Sequence, residues 1–311
     1  MGGERRGDEL IALAAIVAAG LWGCARRAAR KPPRAGAAPP GPGRRGRPVI
    51  AVASKGRTAK DKVRAAVEAL GGMGKFVKPG SKVLLKPNAA FSQPPEVGAN
   101  THPEVVVAVA ELCKEAGARE VMIVEHTIDR PPIVFEVNGI REAAERAGIK
   151  LVAASDRAMY RRVGIPRGRR IKSDEVVRHV FEVDTIINLP VCKDHNAAGV
   201  SLGLKNLMGL NWNRGRYHAL GLHQCIADLA TLIRPHLTIL DATRCLLTGG
   251  PRGPGKVVER GIIVAGADPV AVDAMGCRLL GRRPQDIGYV RIAHEMGLGE
   301  LNLEKVKIKR V

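Results

Sequence analysis

The sequence predicts an α/β protein with a mainly parallel sheet, flanking helices and an antiparallel insertion near residues 160–184. Three observations lead there. From Val49 onward, short β-branched runs alternate with stretches of helical periodicity, the pattern of successive βαβ units. Only nine of 311 residues are aromatic, so the core must rest on Val, Ile, Leu and Ala, which suits strands buried on both faces. The unusual polar residues fall where strands end and helices begin, the place where open α/β sheets bind ligands.

Taken in order, Val49 to Ala53 reads as a strand, Ala59 to Leu70 as a helix, Lys82 to Lys86 as a strand and His102 to Ala116 as a helix. Strand Glu120 to Glu125, helix Gly139 to Ala147 and strand Lys150 to Ala154 follow. Between Tyr160 and Asp184 the chain becomes Arg-rich and alternating with no helix, hence the expected antiparallel insertion. A strand at Thr185 to Leu189, helices near Gly199 to Met208 and Leu220 to Ile233, and a strand at Leu237 to Asp241 resume the pattern. Strand Gly261 to Ala265, helices Pro269 to Leu280 and Pro284 to Met296, and strand Lys305 to Lys309 close it.

Ahead of this body, residues 1–24 are expected to form a signal peptide or membrane anchor. Leu10 to Gly23 is an uninterrupted apolar run behind Arg5-Arg6, short for a spanning helix but of signal-peptide length. Leu21-Trp22-Gly23-Cys24 resembles a lipobox, although Trp22 fits it poorly, so membrane association through a signal or a lipid anchor at Cys24 is expected in the cell envelope. Arg26, Arg27, Arg30, Lys31 and Arg34 follow the run directly and make the cytoplasmic face the alternative. Lys31 to Pro48 holds six Pro and four Gly, so residues 25–48 read as a linker and residues 49–311 as one α/β domain.

Basic residues outnumber acidic ones by 50 to 30, and beyond residue 48 the balance is still 40 to 27. This favours anionic partners. Nucleic acid is disfavoured among them, since no aromatic-interleaved basic stripe, zinc-finger spacing or RNP-like segment is present. The six cysteines are scattered at gaps of at least twenty residues, which excludes a CxxC, zinc or ferredoxin pattern and leaves core burial as their default role.

The polar motifs supply the candidate site. Lys86-Pro87-Asn88 ends a strand, and Thr101-His102-Pro103-Glu104 opens a helix with capping-box spacing between Thr101 and Glu104. Glu125-His126 ends another strand, and Lys193-Asp194-His195-Asn196 follows Asn188-Leu189-Pro190. Three adjacent ionisable groups beside an apolar strand seldom serve packing alone. Asp241 ends its strand before Thr243 and Gly249-Gly250-Pro251, and Asp268-Pro269 has the spacing of an N-cap with proline at N1. His218, His223 and Asp228 share a stretch of near-helical spacing that either reaches the site or faces solvent.

Five of these segments together resemble the DUF362 family: Leu85 to Asn88, Thr101 to Glu104, Asn188 to His195, Ser201-Leu202-Gly203-Leu204-Lys205-Asn206-Leu207-Met208-Gly209, and Gly266 to Asp273. The similarity covers Val49 to Leu280, and it adds Lys205 and Asn206 to the candidate ligand-binding set of Asn88, Asp194, Asp241 and Asp268. Some members carry an appended ferredoxin module. With no clustered Cys, no self-contained iron–sulfur cluster is expected here. The family also resembles, distantly, the amino-terminal domain of nickel-pincer lactate racemases. That analogy casts His102 and His195 as proton-transfer groups or transition-metal ligands and Lys193 or Lys205 as an anchor, with Lys86 or Lys193 holding an anion.

Three functions are compatible with these residues. The first is an enzyme of small anionic substrates, metal-assisted or not, with proton transfer or redox chemistry at His102, His195, Lys193 and Lys86. The second is a membrane-tethered, non-catalytic accessory that docks a redox partner of an iron–sulfur system. The third is a nucleic-acid binder using the basic surface.

Overall fold

The computed structural model describes residues 46–311, so the expected signal or anchor segment, its Cys24 and most of the linker lie outside the described residues. Within them, the expected alternation is present nearly throughout. The elements are β1 (Val49–Ala53), α1 (Ala59–Ala69), β2 (Lys82–Pro87), α2 (Pro103–Glu115), β3 (Glu120–Glu125), α3 (Pro131–Val137), α4 (Ile140–Arg146) and β4 (Lys150–Ala153). Then come β5 (Tyr160–Gly164), β6 (Ser173–Val177), β7 (Thr185–Leu189), β8 (Val191–His195), β9 (Gly199–Ser201), α5 (Gly203–Asn206), α6 (Arg214–Leu220) and α7 (Leu222–Leu232). The chain ends with β10 (Leu237–Leu246), β11 (Val257–Gly266), α8 (Pro269–Leu279), α9 (Gly288–Glu295) and β12 (Lys307–Arg310).

Eight strands line up in the order β12-β1-β11-β10-β7-β2-β3-β4, with β8 and β9 extending the sheet beside β10. Pairing from β10 through β7, β2 and β3 to β4 is parallel; β11 runs antiparallel to both of its neighbours. Successive side chains of a strand point to opposite faces. Accordingly Val83 and Leu85 pack with α1, α2 and α4 in one core, while Leu84 packs with residues of α7, α8 and α9 in the other. The result is a helix–sheet–helix sandwich whose middle strands are apolar on both sides. β5 and β6 form the separate antiparallel pair expected near residues 160–184.

Differences from the sequence reading concentrate around one region. The pattern predicts a helix over residues 199–208, but these residues begin with β9, which runs back along β8 after a turn at residues 196–198 and starts at Gly199 (φ +77°), and only then form the single turn α5 and a 3-10 turn. A Ser-Leu-Gly start offers α5 no side-chain cap. Its first amides are instead held by Asp273 of α8, which accepts from the Gly203 and Leu204 N–H groups at 2.7 and 2.9 Å. Lys193-Asp194-His195 does not trail a strand as a loop but belongs to β8 itself. Asp241 lies inside β10 rather than at its end, because β10 runs on through a bulge to Leu246. The helix expected over Pro284 to Met296 is a 3-10 turn followed by α9.

Among the described residues no helix is long and apolar enough to cross a membrane.

Candidate functional site

β7 and β8 are one strand interrupted by Pro190. Ile187 pairs with Leu237 before the interruption and Val191 with Asp241 after it, so the chain stays beside β10 while β2 has already ended at Pro87. Space opens past the end of β2. The Leu189 carbonyl at its edge accepts from Asn88 N–H (3.1 Å) and from the Thr101 hydroxyl (2.6 Å). The resulting recess, about 70 Å³ and partly open to solvent, is lined by Asn88, Phe91, Glu125, Lys193, His195, Lys205, Asn206, Gly209 and Arg214, among others.

Its floor is a buried polar network. The Lys86 ammonium donates to Glu125 Oε2 (2.8 Å), to the Pro87 carbonyl (2.5 Å) and, at 3.5 Å, to Asn206 Oδ1. Lys86 is fully buried and Glu125 is 2% exposed, so each charge depends on the other. Burial lowers the Lys86 pKa, and the adjacent Glu125 carboxylate opposes that shift. Asn206 ties β2, the segment after it and β7 to α5: its amide donates to Lys86 O (2.9 Å) and Asn188 Oδ1 (2.9 Å), and its oxygen accepts from Asn88 Nδ2 (3.2 Å). Gly209 passes so close that a Cβ there would clash with Glu125 Oε1 and lie 2.6 Å from Lys86 Nζ. Only glycine fits.

Two further cations face the recess, neither ion-paired to a carboxylate among the described residues. Lys193 is buried; it donates to Asn88 Oδ1 (3.1 Å) and the Ala99 carbonyl and lies 4.7 Å from the centre of the Phe91 ring. Burial, reinforced by Lys205, depresses its pKa well below that of an ordinary lysine. Lys205 is half-buried, and among the described residues it has no ion pair and no hydrogen-bond acceptor. Burial first, and Arg214 second, bring its pKa down to about 8. Arg214 is nearby but committed, since its guanidinium donates to the Met208 carbonyl (3.0 Å) and the His126 carbonyl and sits 3.7 Å from Glu125.

His195 is on the same wall, and its protonation state is set by β8's turn. Nδ1 accepts from Ala197 N–H (3.1 Å) and Ala198 N–H (3.3 Å), which leaves the proton on Nε2. Burial, then Lys205, Lys193 and His218, push its pKa to about 3. The ring is therefore a neutral donor at pH 7, not a base.

The structure gathers Lys86, Asn88, Lys193, His195, Lys205 and Asn206 at this place and sets the other candidates elsewhere. His102, rather than Thr101, is the N-cap of α2, with Nδ1 accepting from Glu104 N–H at 3.3 Å. Asp241 accepts from His102 N–H (2.8 Å) and from both the amide and hydroxyl of Thr243 (3.0 and 2.6 Å). Neither lines the recess. Asp268 caps α8 through the Val270 and Ala271 amides and also accepts from Glu300 N–H, and Asp194 lies 3.7 Å from Arg282. Asp228 does not face solvent: it is fully buried and accepts from the Arg169, Arg170 and Ile171 amides. His223 Nδ1 accepts from Tyr289 N–H, and His218 is exposed on α6.

Among the described residues no group of three or more His, Cys, Asp or Glu side chains is placed to hold a metal ion. His195 lines the recess and His102 does not. The recess presents ammonium and amide groups around a carboxylate already paired, a donor set that repels a cation. The sequence reading notes Glu125 as a strand-end residue but gives it no role, and it does not name Arg214. Glu125 carries a signal, a carboxylate closing the apolar strand Val121-Met122-Ile123-Val124 beside the Lys86 strand; Arg214 sits on α6, a helix the sequence pattern does not reveal.

A mainly parallel sheet with a cationic recess beyond its strand carboxyl ends defines the class, an open α/β fold. The chain belongs to DUF362, a domain of unknown function, whose family profile matches residues 83–278. It is 31% identical over 251 residues to a thylakoid-associated protein of Synechocystis sp., an alignment covering 76% of this chain and 74% of that protein. A crystal structure of a protein from Thermotoga maritima, 13% identical, aligns over 76% of this chain with a TM-score of 0.44, and the chain spans 59% of that structure.

Proposed function

We propose that the protein binds a small organic anion, a carboxylate or phosphate, in the recess beyond β2. The observation that supports this reading most is two lysines, Lys193 and Lys205, facing one small recess with no carboxylate partner among the described residues. Charges so placed repel each other and are poorly solvated, and an anion relieves both costs at once. In this reading Lys193 and Lys205 supply charge, the His195 Nε2–H and the Asn88 amide supply directed hydrogen bonds, Asn206 holds Asn88 in place, and the Lys86-Glu125 pair holds the floor rigid. Calorimetric titration of the purified chain with phosphate, pyruvate, lactate and succinate tests it. One of these should bind with an affinity that weakens at least tenfold in Lys193→Met and in Lys205→Met; equal affinity in wild type and both variants would overturn the assignment.

Membrane attachment is proposed as well. A relative described as thylakoid-associated and the apolar run Leu10 to Gly23 support it together. The full chain should sediment with membranes in its host and a form lacking residues 1–48 should not; identical partition of the two forms would refute attachment through that segment.

A further inference from the structure

Lys205 differs from the other two lysines of the site in a way that anion binding alone does not require. Lys86 is held by Glu125, Pro87 and Asn206, and Lys193 by Asn88 and Ala99. Lys205 is held by nothing among the described residues, although it lines the same recess. It also stands within electrostatic reach of Lys193, His195 and Arg214. A lysine whose task is to attract an anion works best fully charged, preferably beside groups that keep it so. Here burial and neighbouring positive charge act in the opposite direction. The same surroundings leave a primary amine free of hydrogen-bonding duties, accessible from a pocket, and partly neutral at physiological pH.

We infer that Lys205 is a nucleophile that forms an imine with a small carbonyl compound bearing an acid group, such as a 2-oxo acid. The inference rests on the anion-binding reading above, which brings the acid group to Lys193. The neutral amine of Lys205 adds to the carbonyl carbon, forming the N–C bond as the carbonyl π pair moves onto oxygen. The oxygen takes up one proton and the ammonium nitrogen releases one, giving a carbinolamine. The nitrogen lone pair then forms the C=N bond as the C–O bond breaks, and the oxygen departs as water with the amine's second proton. No oxidant or reductant is needed. The neutral Nε2–H of His195, on the same wall, is placed to stabilise negative charge developing on that oxygen without surrendering its own proton. The product, a neutral imine beside a carboxylate, takes up one proton from solvent to become an iminium, which draws electrons from the adjacent carbon. This makes the site suited to breaking a bond to that carbon, to hydrogen or to a carboxyl group.

Depression of the Lys205 pKa from 10.5 to about 8 raises the neutral fraction at pH 7 to roughly one in ten, against roughly one in three thousand for an ordinary lysine. A less basic amine is intrinsically less nucleophilic, so the net advantage over a surface lysine is smaller, on the order of tenfold.

The full-length protein is incubated with pyruvate and cyanoborohydride near neutral pH, and the reduced adduct is located by peptide mass mapping. The expected result is preferential labelling of Lys205, on the order of tenfold faster than the exposed Lys55. The fast phase should be absent in Lys205→Met, and lactate, which has the acid group but no carbonyl, should slow it. Labelling spread evenly over surface lysines would overturn the inference. Calorimetry of pyruvate and lactate on the same sample separates the two ideas. Binding without Lys205 labelling removes the nucleophile and leaves the anion site standing, and labelling of Lys205 that lactate does not slow removes the acid-group requirement. Absence of binding and of labelling removes both.

Discussion

Replacing Lys205 with Met should make the protein more stable, not less. Lys205 carries a charge in surroundings that disfavour it: its pKa falls from 10.5 to about 8, and no acceptor among the described residues compensates. A tenfold change in proton affinity corresponds to about 1.4 kcal/mol, so the charged form is disfavoured by about 3 kcal/mol, reduced to about 1–3 kcal/mol because the side chain reaches solvent through the recess. Met has nearly the same shape and no charge. At pH 7 the variant should therefore melt about 3–9 °C higher, as expected for a domain of this size. The pH dependence is the sharper test. Below pH 8 lysine is charged in the folded and unfolded states alike, and the penalty is complete. Between pH 8 and 10.5 the unfolded chain still holds the proton that the folded protein has released, so wild-type stability rises with pH and the gap between the two proteins closes. Urea denaturation at pH 7, 8, 9 and 10 measures the gap. A variant that is less stable than wild type at pH 7, or a gap that stays constant to pH 10, would refute the reasoning.

Three other outcomes follow from the same network. Glu125→Gln leaves the Lys86 ammonium fully buried without its counter-charge and should cost about 3–5 kcal/mol by chemical denaturation; the double variant Lys86→Met/Glu125→Gln should recover a substantial part of that loss. Gly209→Ala forces a Cβ between Glu125 and Lys86, so destabilisation of about 2–4 kcal/mol, together with loss of anion binding, is expected in denaturation and calorimetry. His195 has a folded pKa near 3 against about 6.5 in the unfolded chain, so its contribution is complete above pH 6.5 and declines as the pH falls toward 3. Wild type should accordingly lose about 2 kcal/mol more than His195→Gln between pH 7 and 4.5, and equal losses in the two proteins would argue against a neutral buried imidazole.

The fold is legible wherever a local pattern decides structure. Strands such as Lys82–Pro87 and Glu120–Glu125 are short, apolar and bounded by turns, and the helices between them have clear amphipathic periods, so both emerge from sequence close to their observed bounds. The region that misleads is the one where distant residues decide. Nothing within Gly199 to Met208 tells that Asp273, about seventy residues on, will cap Gly203 and Leu204 and so delay the helix by a strand. Likewise Pro190 reads as the end of a strand, yet β10 is long enough to carry the pairing past it. Lys86, Asn88, Lys193 and His195 are recognisable because polar and charged groups beside buried strands need a reason. His102 and Asp241 draw the same attention although their hydrogen bonds organise a helix start, a distinction visible only in the geometry.

That distinction bears on which chemistry the site supports. Proton abstraction by a pair of histidines needs both rings at the ligand and at least one able to accept a proton near neutral pH. His102 is at a helix terminus outside the recess, and His195 has its accepting nitrogen occupied by two backbone amides. What remains facing the recess are the Lys193 and Lys205 amines, the His195 N–H donor and the Asn88 amide, a set that in the proposed reading attracts an anion and adds to a carbonyl but removes no proton while Lys205 is charged. Glu125, the carboxylate lining the recess, is held by Lys86, Ala89 N–H and Arg214. It becomes available as a base only if an arriving anion draws Arg214 away. A pH–rate or pH–binding profile governed by a group near pH 8 would therefore point to Lys205, whereas loss of the reaction in Glu125→Gln with Lys205 labelling intact would shift the chemistry from imine formation toward carboxylate base catalysis.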